Sequence, residues 1–72
     1  MNGTEYEPWS EGALDMEAAQ RFLALGRSKI FELMALGELE FLSTSGKRLI
    51  CRRSAVEWLR RQAQQTRQEV RS

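Results

Sequence analysis

A chain of 72 residues and 8.3 kDa holds one small domain at most, because a second core at this length has too little apolar surface to bury. Apolar residues make up 42% and charged residues 29%, which excludes a wholly disordered chain; no apolar run is longer than Leu33-Met34-Ala35-Leu36, which excludes a bilayer span. With no histidine and a single cysteine, the chain has no intrachain disulfide, no Cys/His cluster for zinc and no histidine-based acid–base pair, so no catalytic residue, cofactor or metal is assigned and a binding role is expected over an enzymatic one.

The net charge of +1 hides an asymmetry. Residues 1–20 carry Glu5, Glu7, Glu11, Asp15 and Glu17 and no basic group, whereas residues 21–72 carry all 11 Lys and Arg against Glu32, Glu38, Glu40, Glu57 and Glu69. A local field attracts a polyanion more than a total does, so the basic body is a candidate for nucleic acid; the plainer reading is a solvated charged surface. The opening residues Met1-Asn2-Gly3-Thr4-Glu5 lack the basic and apolar regions of a secretory signal, and a cytoplasmic setting without membrane association is expected.

Residues 1–12 are polar, hold the only proline and show no period, and are expected to form a flexible acidic tail; Tyr6 and Trp9 are its apolar exceptions, expected to fold back on the body in preference to docking on a partner. The domain proper is expected over 13–64, with a frayed tail over 65–72. A first helix is predicted from an Asp15 cap, with Met16, Ala19, Phe22 and Leu23 on one face. Leu25-Gly26 breaks the pattern, and a second helix follows at Arg27-Ser28-Lys29 with Ile30, Phe31, Leu33, Met34 and Leu36, stopped by Gly37. The period then changes to two. Leu39 and Phe41, then Leu49 and Cys51, alternate with charged or polar neighbours around a Thr44-Ser45-Gly46-Lys47 turn, a two-stranded hairpin that sets Leu42 and Ile50 on its other face. Ser54-Ala55-Val56-Glu57 has the spacing of a capping box opening a third helix, with Val56, Leu59 and Ala63 as its stripe. Ile30, Leu33, Met34, Phe22 and Leu59 are expected in the core, and Cys51 is read as a small buried hydrophobe, not a reactive thiol. Arg60, Arg61, Arg67 and Arg71 are read as a solvated face and tail.

Helix, tight joint, helix, two-stranded hairpin and helix is the order of a small winged helix-turn-helix, an α+β fold that is mainly α. Over about residues 14 to 60 the chain resembles the excisionase-type, MerR-like helix-turn-helix domains. The resemblance rests on Arg27-Ser28-Lys29-Ile30-Phe31, Gly37-Glu38-Leu39, Gly46-Lys47-Arg48 and Arg53-Ser54-Ala55-Val56. Three positions depart from the family pattern: Ala24 stands where glycine is usual in the joint, Gly26 where serine is usual at the cap, and Ile50 where the second strand often has arginine. The last implies one phosphate contact fewer and a more apolar wing.

The resemblance implies double-stranded DNA as the partner. The second helix would enter the major groove by its first turn, where Arg27, Ser28 and Lys29 reach bases or phosphates; Glu32 is read instead as an intrahelical partner of Lys29 or Ser28. Lys47 and Arg48 at the wing tip would meet flanking phosphates or the minor groove, and Arg52 and Arg53 the backbone. Two roles fit, an excisionase acting as a recombination directionality factor or a small transcriptional regulator, with an integrase or RNA polymerase and other copies of the chain as further partners. The alternative from another class is a protein-interaction adaptor on the same fold that binds no DNA. The acidic tail and the basic last helix are opposite in charge, which suits contact between neighbouring copies.

Overall fold

The computed structural model describes residues 8–71, without the side chains of 68–71. Tyr6 and the rest of the expected tail through Glu7 lie outside the described residues, as does Ser72. A 3-10 turn, Pro8–Glu11, precedes strand β1 (Ala13–Leu14), helices α1 (Met16–Leu23) and α2 (Arg27–Ala35), strands β2 (Phe41–Thr44) and β3 (Lys47–Cys51), and helix α3 (Arg52–Arg71). The protein is thus a small, mainly helical α+β domain. Among the described residues no helix is long and apolar enough to cross a membrane.

Asp15 caps α1 as its position predicts: its backbone is extended and its Oδ1 accepts from the Ala18 amide at 2.8 Å. The joint to α2 turns on Ala24, which adopts φ 57° and ψ 42° while the Leu25 amide donates to the Gln20 carbonyl at 3.1 Å. A side chain in this left-handed region costs about 1 kcal/mol. The nearby glycine gives no relief, because Gly26 sits at φ −73° in ordinary extended backbone and caps α2 without a side-chain oxygen. At the other end of α2, Gly37 does use its freedom. With φ 79° its amide donates to Met34 at 3.1 Å and that of Glu38 donates to Leu33 at 2.9 Å, the paired bonds of a Schellman stop.

The hairpin is closed by two residues in positive φ, Ser45 at 51° and Gly46 at 73°, so Thr44 faces Lys47 and the ladder continues to Phe41 opposite Ile50. This register corrects the expected faces. Phe41 and Ile50 share one side and Leu42 and Leu49 the other. Ile50 has no exposed surface and packs with Ile30, Leu33, Leu39 and Trp58, so the position that the resemblance makes part of an exposed wing belongs to the core.

A third strand turns the expected two-stranded hairpin into a sheet of order β1-β3-β2, with Ala13 paired to Cys51 and Leu14 to Ile50. Two residues are too few to show a period in sequence. The segment before β1 is likewise ordered from Pro8 on, contrary to a tail reaching residue 12: Pro8 is buried, its carbonyl accepts from Cys51 Sγ at 3.1 Å, and Glu11 Oε2 meets Arg53 Nε at 3.5 Å. Cys51 is buried, as expected, though beneath this segment and apart from the main core.

Helix α3 starts two residues before the expected capping box. The Arg52 amide donates to the Gly12 carbonyl at 3.1 Å, so the strand passes directly into the helix, and Ser54 Oγ accepts from the Glu40 amide at 2.9 Å, tying the α2–β2 connection to α3. Among the described side chains of α3 the buried ones are Ala55 and Trp58, one step round from the expected Val56, Leu59 and Ala63 stripe; Leu59, expected in the core, is 36% exposed. The helix also continues through Arg71 where fraying is expected, because Gln64-Gln65-Thr66-Arg67-Gln68-Glu69 contains no glycine or proline and extends a helix already nucleated by its packed first half.

Candidate functional site

α2 packs its Ile30, Leu33 and Met34 side inward, so its remaining faces are set by the helical repeat. Arg27 shares one flank with Phe31, Ser28 shares the outer face with Glu32, and Lys29 lies on the other flank in line with Leu33. Arg27, Ser28 and Lys29 are all exposed.

The Arg27 flank meets the hairpin tip. The guanidinium carbon of Arg27 stands 5.4 Å from the centre of the Phe31 ring and that of Arg48 stands 5.3 Å from the same centre. Arg27, Phe31, Gly46, Lys47 and Arg48 line a cleft of about 290 Å³ with Asp15, Met16 and Glu17 from the start of α1. The sequence-predicted residues Arg27, Lys47 and Arg48 therefore converge, and Ser28 continues their surface along α2. An aromatic face attracts a cation without accepting its hydrogen-bond donors, so both guanidinium groups keep their donors free for an anion.

The other predicted residues are differently placed. Lys29 Nζ lies 3.8 Å from Glu32 Oε1, an exposed pair at the i, i+3 spacing expected of Glu32, and Lys29 borders a separate open groove of about 810 Å³ that runs to Trp58 and Arg61 of α3. That groove mixes three carboxylates, Glu38, Glu40 and Glu57, with Lys29 and Arg61, so it has no excess of positive charge. Arg52 stands 5.2 Å from the centre of the Phe22 ring on α1. Arg53, expected at a phosphate, has its Nε 3.5 Å from Glu11 Oε2, with both side chains about half exposed.

The residue that sequence reasoning missed is Phe31. It reads as one more apolar position of α2, yet it is only partly buried and carries two arginines. The available signal is an arginine four residues before an aromatic on a helix, a spacing that brings the two side chains together. No protein-family model, curated protein or solved structure matches the chain.

Proposed function

We propose that the protein binds double-stranded DNA with sequence selectivity as a small winged helix-turn-helix. In this reading α2 enters the major groove by Arg27, Ser28 and Lys29, and the hairpin serves as the wing, with Lys47 and Arg48 on the flanking backbone. The observation that carries it is the meeting of the α2 front and the hairpin tip on one side of the molecule, at Phe31. Arginine takes two acceptors of guanine at once, and lysine and serine reach bases or phosphates less rigidly, so the set suits a duplex better than it suits a lone anion.

The protein acts in this reading without catalysis, in the cytoplasm, by occupying or bending DNA or by placing an integrase or RNA polymerase, as an excisionase or a transcriptional regulator. One domain offers a small interface, so repeated sites occupied by adjacent copies supply the affinity.

The test is selection of bound duplexes from a random pool, followed by binding at rising salt. Enrichment of a common sequence with an affinity that falls steeply with salt supports the reading. Lys47→Glu on a folded domain should weaken binding at least about tenfold, since it replaces a phosphate-facing cation with a repelling charge. Unchanged affinity in that variant, or no duplex binding at low salt, overturns the proposal in favour of a protein-interaction adaptor, for which Leu36, 64% exposed beside the α3 groove, is the favouring feature.

A further inference from the structure

The hairpin tip reaches α2 through side chains. α2 lies close along α1, and the sheet lies close to α1 and α3, but no comparably close backbone approach joins α2 to β2 or β3. Lys47 and Arg48 are themselves exposed, at the opposite end of β3 from the buried Ile50 and Cys51. Deeper in the molecule Ile30 and Leu33 of α2 share the core with Ile50 of β3; at the exposed tip, what spans the gap is the Phe31 ring, with Arg27 of its own helix and Arg48 of the hairpin both over it.

We propose that Phe31 is a positioning residue: its ring holds the Arg27 and Arg48 guanidinium groups so that α2 and the hairpin tip meet a DNA duplex as one rigid surface. This inference rests on the DNA reading above and deepens it. Two guanidinium groups on one ring cannot lie farther apart than the sum of their distances to its centre, and like charges held that close repel. Attraction to the electron-rich ring offsets the repulsion in the free protein, while the donors of both groups stay open. A carboxylate in the same place would hold them as well but would occupy those donors. On a duplex the phosphates add negative charge to that of Asp15 and Glu17 at the edge of the cleft, so the free protein already presents the bound arrangement and loses little side-chain freedom on binding.

The experiment compares Phe31→Leu, which removes the ring and keeps most of its apolar volume, with Phe31→Trp, which keeps a ring face. The probe is a short mixed-sequence duplex at low salt, then the duplex selected from the random pool. Phe31→Leu should bind about three- to tenfold more weakly while the domain stays folded at the temperature of the assay, from the loss of two exposed cation–π contacts, and Phe31→Trp should restore binding. The loss on Arg48→Ala should be smaller in the Phe31→Leu background than in the wild type, because the arginine is then already free to wander. In the free protein, the side-chain NMR signals of Arg27 and Arg48 should lose their ring-current shifts in Phe31→Leu. Since Phe31 also packs against the core, Phe31→Met is the second apolar variant, and either one that folds suffices. Unchanged binding by a folded apolar variant, alongside a loss on Arg48→Ala, overturns the role of the ring and leaves the DNA reading intact. Failure of the wild type to bind any duplex overturns both.

Discussion

Arg48 at the hairpin tip and Arg53 at the start of α3 are the same side chain in two regions, and their neighbours separate them. Arg48 rests on an aromatic ring; Arg53 faces Glu11 at 3.5 Å in a half-exposed pair that ties the Pro8–Glu11 segment to the start of α3. Lys29 lies between these cases, 3.8 Å from Glu32 with both groups widely exposed, a pair that solvent screens and a polyanion can displace. A count of basic residues therefore overstates the surface available to nucleic acid. In the DNA reading the cations that matter are those held by rings, by nothing or, like Lys29, by a pair that a polyanion can displace.

Strand β3 supports both regions, which makes its centre the place to break them together. Ile50→Ala should cost about 3 kcal/mol through the cavity it leaves in a core this small, and Ile50→Arg, which installs the residue common in the resembling family, should unfold the domain; urea denaturation followed by circular dichroism measures both. A folded Ile50→Arg variant would show that the side chain has a route to the surface, contrary to its complete burial.

A second comparison exchanges the two arginines. Arg48→Ala should lower duplex affinity about tenfold with no change in denaturation midpoint. Arg53→Ala should do the reverse, leaving affinity within about twofold and lowering stability by at most about 1 kcal/mol, since its ion pair is half exposed. Fluorescence anisotropy beside thermal melting reads both columns.

The joint offers a smaller effect. Ala24→Gly should stabilise the domain by at most about 0.5 kcal/mol, the left-handed strain relieved less the added freedom of the unfolded chain, and Gly26→Ser should add a few tenths by supplying the missing cap oxygen. If Ala24→Gly instead destabilises, the left-handed turn at that residue is refuted. Smallest of all, Glu11→Gln should release Arg53 and raise non-specific duplex affinity about twofold with a slightly steeper salt dependence, a change that titration at two salt concentrations resolves.

Much of the frame is written in local pattern. The Asp15 cap, the apolar face of α1, the Gly37 stop and the inward side of α2 each depend on residues within a turn of one another, and each is found where spacing puts it. The hairpin register was legible too. A two-residue Ser45-Gly46 turn dictates Phe41 opposite Ile50, and reading the alternation of each strand without that constraint assigns the faces wrongly. The Arg27–Phe31 pair was available from its spacing, but the arrival of Arg48 from 17 positions beyond Phe31 was not.

What the amino-acid sequence determined by itself is the set of helices, the turn chemistry, the apolar inventory and the division into an acidic first part and a basic remainder, because propensity, capping and periodicity act over a few residues. Tertiary structure alone decided that the Pro8 carbonyl meets Cys51, that Ala13–Leu14 joins the sheet, that Ser54 serves a distant amide, and that Arg48 finds a ring and Arg53 a carboxylate. Each of those outcomes joins residues far apart in the chain, and a contact of that kind exists only once the core has fixed the distance between them.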